Sequence, residues 1–177
     1  MPKTRLTLVH TSDVHLESDT FGRGEEGRAY QSRIESAFSS VVDLVISIKA
    51  DLFLIAGDLF DSNRVPESGV AFVNGELRRL SCPTVVIPGN HDCYDHRSIY
   101  KKVDFTEVGP HVHTLTAEEG ATVPFPELGA TVWGKGMVEH DPAFRPLEGV
   151  PNRNADWWHI GMAHGYFAEE EETQRSS

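Results

Sequence analysis

The stretch Leu52-Phe53-Leu54-Ile55-Ala56-Gly57-Asp58-Leu59-Phe60-Asp61 decides the fold. Its first five residues are an unbroken apolar run, the pattern of a strand buried on both faces of a parallel sheet. Gly57 permits a sharp turn without Cβ strain where that strand ends. Asp58 is thereby delivered to the strand's carboxyl end, where open α/β sheets place their ligands. Upstream, Leu6-Thr7-Leu8-Val9 alternates and reads as a first strand. Between the two, Ile34, Phe38, Val41, Val45 and Ile48 recur at spacings of four and three, the apolar stripe of a helix. Downstream, Pro66 suits the first turn of a second helix, with a stripe of Val70, Val73, Leu77 and Leu80. Arg78 and Arg79 near its end complement the helix dipole. Pro83 ends it, and Thr84-Val85-Val86-Ile87 is a third strand. Alternating strands and helices predict a parallel sheet with right-handed crossovers.

Beyond residue 100 the pattern changes. Short strands are expected at Val112 to Leu115, Ala121 to Phe125 and Ala130 to Trp133, separated by Gly and Pro turns, as a second, mostly antiparallel sheet packed on the first. Pro142, Pro146 and Pro151 mark a long irregular connection, and Trp157 to Ala163 reads as another buried strand. Glu169 to Glu172 reads as a solvated helix or tail.

Composition narrows the function. A length of 177 residues suits one domain with a real core. The net charge of −11 argues against a free-standing nucleic-acid binder with a basic face, although cation-binding carboxylates are neutralised by what they hold. Cys82 and Cys93 make no disulfide framework, so a reducing compartment is expected. Met1 to Arg5 leads directly into strand-like sequence without an apolar signal core, and no run reaches membrane-spanning length. These features predict a cytoplasmic protein.

The chemistry-bearing residues gather where strands end. The first strand runs into Asp13-Val14-His15, whose i, i+2 spacing puts both side chains on one face of extended backbone. Such a pair can grip one cation through an oxygen and an imidazole nitrogen. The central strand ends in Asp58, whose two oxygens can hold two cations at once. The third ends in Gly89-Asn90-His91-Asp92, where the Asn90 carbonyl is a workable ligand and His91 would lie beside the cations. The strand at Trp157 to Ala163 ends in His164, a ligand by the same logic. Alone, each cluster reads as a polar turn. Three consecutive strands ending this way point instead to a dinuclear centre bridged by Asp58.

Taken together, Asp13-Val14-His15, Gly57 to Asp61, Gly89 to Asp92 and His164 resemble, in order, the motifs of the calcineurin-like metallophosphoesterase superfamily. The wording His-Thr-Ser-Asp-Val-His-Leu and Gly-Asp-Leu-Phe-Asp is most similar to its SbcD-type DNA-repair exonuclease branch. The resemblance implies a four-layer α/β/β/α sandwich. It also implies a closing Gly-His-x-His motif that the 177 residues do not contain. The expectation is a single, incomplete metallophosphoesterase domain over 1–177 lacking its C-terminal part. Pro110-His111-Val112-His113 is not that motif, and His111 and His113 are expected to be exposed on one strand face.

By resemblance, one divalent ion would take Asp13, His15 and Asp58 and a second Asp58, Asn90 and His164, with manganese expected and iron or zinc as alternatives. Such a pair activates a hydroxide and clamps the phosphoryl oxygens during in-line attack. His91 would protonate the leaving alkoxide, Asp92 would orient its ring, and Asp61 would be supporting or structural. Cys93 is expected to be a small packed side chain. The implied activity is phosphodiester hydrolysis, extending in an exonuclease-like manner to DNA ends. An ATPase partner subunit and a homodimer go with that branch. A small-molecule phosphatase or cyclic-nucleotide phosphodiesterase, or a catalytically impaired fragment acting as a binding scaffold, are the alternatives.

Overall fold

The structure, a computed structural model, describes residues 4–165 except 23, 140, 142 and 153–155. Pro142 and Glu169 to Glu172 therefore lie outside the described residues. The first sheet is fully parallel in the order β1 (Leu8–Thr11), β2 (Leu52–Ala56), β3 (Thr84–Ile87), β4 (Val112–Thr114). Every residue of β2 and β3 is buried, as expected for central strands covered on both faces. The second sheet holds β5 (Ala121–Phe125), β6 (Ala130–Gly134) and β7 (Trp158–Met162).

The sequence pattern assigned Val112 to Leu115 to the second sheet, but β4 pairs in parallel with β3 and extends the first. The second sheet is also mixed, with β5 and β6 antiparallel and β6 and β7 parallel. Nor is β7 buried throughout. It lies at the sheet's edge among the described residues, and only Met162 is fully enclosed. His111 and His113 are half-buried rather than exposed. His111 Nε2 donates to the Leu77 carbonyl at 3.0 Å, and the His113 ring meets Phe125 edge-on at 5.3 Å between the sheets.

Two cores lie on opposite faces of the first sheet. Val9, Phe53, Ile55, Val86 and Val112 face one core, with residues of helices α1 (Glu25–Ser47), α2 (Glu67–Arg78) and the short α3 (Ile99–Lys102). Leu52, Leu54, Ala56, Val85 and Ile87 face the other, against the inner side of the second sheet. This alternation along each strand is what a sheet sandwiched between two layers requires. The molecule is an α/β sandwich, of which the described residues form three layers, α/β/β.

The α1 stripe is offset from its expected line. Phe38 and Val45 are buried and Ile34 and Val41 half-buried, but Val42 is fully buried while Ile48 is 46% exposed. Ile48 is the C-cap, where the chain leaves the helix. Lys49 then takes φ +52°, and the Lys49 and Ala50 N–H groups bond back to Ile46 and Val45. This is a Schellman ending, with lysine in the position usually given to glycine. Arg79 does more than complement a dipole: its guanidinium joins Asp43 on α1 to Glu76 on α2. No described helix is long and apolar enough to cross a membrane.

Candidate metal centre

All the candidate groups leave the carboxyl ends of strands and meet in one place. The loops after β1 and β2 run side by side, joined by Asp13 N–H to the Gly57 carbonyl at 3.2 Å, His15 N–H to Asp58 at 3.0 Å and Leu16 N–H to Leu59 at 3.0 Å. This pairing holds three non-glycine residues in the left-handed region, with φ of +54° at Asp13, +53° at His15 and +53° at Asp58. Such backbone is uncommon for non-glycine residues and persists where neighbours enforce it. The extended-strand geometry expected of Asp13 and His15 is therefore not what aims them.

Two glycines allow the loops this close. A Cβ on Gly89 would lie 2.2 Å from Asp58 Oδ1, and one on Gly57, whose φ is +84°, would lie 2.3 Å from His164 Nδ1.

Asp58 is 2% exposed and sits at the centre. Its Oδ1 accepts the His91 N–H at 2.8 Å, while Oδ2 faces His164 Nε2 at 3.3 Å and His15 Nε2 at 3.8 Å. The two oxygens thus have different tasks, and Oδ2 is the one turned toward both imidazoles. His164 Nδ1 donates to the Ala56 carbonyl at 2.9 Å, which leaves Nε2 with its lone pair when the ring is neutral. That nitrogen lies 2.9 Å from Asn90 Oδ1. On the other side, His15 Nδ1 donates to Asp61 Oδ1 at 3.0 Å, again leaving Nε2 free to coordinate.

Three acceptors (His164 Nε2, Asn90 Oδ1 and Asp58 Oδ2) therefore converge without a hydrogen between them unless His164 is protonated. A proton on His164 or a bound cation satisfies such a cluster. Asp13, Asp58 and His164 each place a ligand atom within 4.8 Å of the others, and so do His15, Asp61 and His91. The sequence reading placed Asp13 with His15 and Asp58; these distances add that Asp13 also stands close to His164. The donor set of carboxylate, amide oxygen and imidazole fits divalent cations of intermediate hardness.

Electrostatics tell the same story. Burial pushes the Asp58 carboxyl up, but hydrogen bonds from His164 and the His91 N–H outweigh it and hold it below its usual range. The hydrogen bond to Asp58 lifts His164 to about 9 against burial, with the Ala56 carbonyl adding to the lift. For the chelator-treated protein this sets a sign. The His164 contribution is complete below its ordinary 6.5 and is lost as pH rises through about 9. The Asp58 contribution to the same contact is complete above its ordinary 3.8 and is lost as pH falls through its lowered value. The expected loss on the alkaline side is about 3 kcal/mol. Calorimetry from pH 6 to 10 should show it, and both His164→Gln and added divalent cation should abolish it. An equal alkaline loss in His164→Gln would remove the contact as its cause.

Asp92 does not orient His91. Its carboxylate is 0% exposed. Oδ1 accepts the Asp58 and Gly89 N–H groups at 3.2 and 2.8 Å. Oδ2 accepts those of Leu59 and Phe60 at 3.0 and 3.2 Å and the Tyr100 hydroxyl at 2.7 Å. The carboxylate is filled by five donors and braces the loop that carries Asp58. The exposed His91 ring is held instead by Asp61, whose backbone carbonyl accepts from Nδ1 at 3.0 Å and whose Oδ1 lies 3.8 Å from it. Asp61 thus orients both His15 and His91. Sequence reasoning left it a supporting part, and its spacing from Asp58 was the available signal. Tyr100 had no such signal. Cys93 is buried beside these loops, as expected.

Comparison with known proteins agrees with this geometry. Residues 6–173 match the calcineurin-like phosphoesterase family. The Bacillus subtilis protein described as the uncharacterized metallophosphoesterase YhaO is 29% identical over 92% of this chain and 41% of its own. The DNA double-strand break repair protein Mre11 of Sulfurisphaera tokodaii is 32% identical over 52% of this chain and 23% of its own. The chain thus spans less than half the length of these curated relatives. Among solved structures, TT1561 of Thermus thermophilus covers 89% of the chain with a TM-score of 0.51 at 16% identity and 57% of its own length, a likeness of fold alone. On its match over residues 6–173, the chain belongs to the calcineurin-like phosphoesterase family.

Proposed function

We propose that the chain hydrolyses phosphodiesters at a dinuclear centre, with Asp13, His15 and Asp58 holding one cation and Asp58, Asn90 and His164 the other. The observation that carries this reading is the convergence of the His164, Asn90 and Asp58 acceptors beside His15, with an exposed imidazole next to them. Two divalent ions there would supply Lewis acidity toward the phosphoryl oxygens and make water acidic enough to attack at neutral pH. The mixed oxygen and imidazole set suits manganese, with iron or zinc as the other candidates.

The remaining chemistry belongs to the chain. His91 Nδ1–H is committed to the Asp61 carbonyl, so Nε2 is the atom that carries a transferable proton. When the ring is protonated, Nε2–H can be given to the leaving alkoxide. Asp61 keeps the ring aimed.

His91→Ala should reduce turnover of an alkyl phosphodiester by about 10²-fold. The loss on bis-p-nitrophenyl phosphate should be far smaller, because p-nitrophenolate leaves without a proton. Unchanged alkyl turnover would remove His91 from the mechanism.

Within the phosphodiesters, DNA ends are the substrate we favour, because several relatives are named as double-strand break repair proteins. Rates on linear DNA, bis-p-nitrophenyl phosphate, the p-nitrophenyl monoester and a cyclic nucleotide separate this from a small-molecule phosphatase or cyclic-nucleotide phosphodiesterase. A DNA substrate would bring an ATPase partner subunit and a homodimer as further expectations. Free Cys82 and Cys93 suit a reducing compartment, the cytoplasm in our reading.

A further inference from the structure

The loop that carries Asp61 continues into Asn63, a half-buried amide with no place among the ligands. Its Nδ2 donates to the Cys93 carbonyl at 2.9 Å, and its Oδ1 accepts the Ile99 N–H at 2.9 Å. The Asn63 carbonyl accepts from Lys102 Nζ at 3.1 Å. One residue therefore ties the loop after β2 to three points in the segment after β3.

The register of these ties matters. Asp61 meets His91, and two residues further along both segments Asn63 meets Cys93. The pairs form two rungs between the same loops. The first rung is a single hydrogen bond to an exposed ring. On its near side the loops are already joined through Asp58 and Asp92, and Asn63 supplies the tie on its far side.

We propose that Asn63 is a positioning residue for His91: its amide rung to Cys93 fixes the distance at which the Asp61 carbonyl holds the His91 Nδ1 proton. The inference rests on the proposed role of His91 as proton donor. Asn63 touches none of the acceptor atoms of the cation cluster, so its loss should leave metal content alone and act on the leaving-group proton.

Asn63→Asp tests this with little change of shape. A carboxylate still accepts the Ile99 N–H but cannot donate to Cys93, and it stands near Asp95, whose Oδ1 lies 3.5 Å from Asn63 Nδ2. Asn63→Ala is the second variant should Asp95 repulsion disturb folding. Two readouts are needed. In ¹⁵N-histidine-labelled, chelator-treated protein, wild-type His91 should be the Nδ1–H tautomer, and the variant should show a mixture. In the loaded enzyme, the ratio of alkyl phosphodiester to bis-p-nitrophenyl phosphate turnover should fall about tenfold or more. Metal analysis should give the wild-type ion content.

An unchanged tautomer, or equal losses on both esters, overturns the proposal. If His91→Ala moves the ester ratio and Asn63→Asp does not, only this inference falls. If His91→Ala leaves the ratio unmoved, the proton-donor reading falls and takes this inference with it.

Discussion

Asp58→Asn should abolish cation binding at both positions and lower kcat/KM by roughly 10³-fold, the equivalent of about 4 kcal/mol of lost transition-state stabilisation. The reason lies in the division of labour between its oxygens. Oδ1 is committed to the His91 N–H, and Oδ2 alone faces both imidazole nitrogens, at 3.3 and 3.8 Å. An asparagine has one oxygen for these two duties. With its oxygen on His91, the amide NH₂ points at His15 and His164 and offers hydrogens where a cation needs lone pairs. Flipped, the NH₂ meets the His91 N–H and the ligand loop shifts. Neither rotamer serves both cations. Metal analysis of the purified variant should find less than one ion per chain against two for the wild type. A variant that keeps two would end the bridging role. Asn90→Ala provides the contrast, since its single oxygen faces only the His164 side and one ion should remain.

The parts of this site legible in the sequence were those that local patterns encode. An apolar run followed by glycine and aspartate announces a buried strand with a carboxylate at its end, and β2 with Asp58 is found there. The three strand-end clusters and His164 do converge. What the sequence concealed depends on partners distant along the chain. Three residues of β4 carry no mark of whether they will pair in parallel with β3 or join the other sheet. The left-handed backbone at Asp13 and His15 is enforced by the neighbouring β2 loop, so no local propensity foretold it. A period of 3.6 placed Ile48 on the α1 stripe but could not locate the cap that turns it outward. Adjacency in Gly-Asn-His-Asp suggested that Asp92 served His91, whereas neighbouring side chains here face different ways. One enters the core and the other stays at the surface.

That divergence sets the second large effect, which falls on stability rather than turnover. Asp92→Ala should destabilise the fold by about 4 kcal/mol, as expected when one partner of a buried charged network is removed. At this chain length that is a fall of roughly 12 °C in Tm. Four backbone N–H groups and the Tyr100 hydroxyl, all turned inward, would lose their acceptor together. Asp92→Asn is no conservative exchange. Its NH₂ must face either the Asp58 and Gly89 N–H pair or the Leu59 and Phe60 pair, so it should lose about half as much. Tyr100→Phe removes a single donor and should cost about 1 kcal/mol. His91→Ala, at an exposed ring, should change Tm least of the four. Thermal melts of the four chelator-treated variants read the order directly. If Asp92 instead served to aim His91, Asp92→Ala would melt with the wild type and lose only leaving-group protonation. The five donors on its two oxygens require the opposite: the carboxylate that looked catalytic is the brace of the loop that carries Asp58.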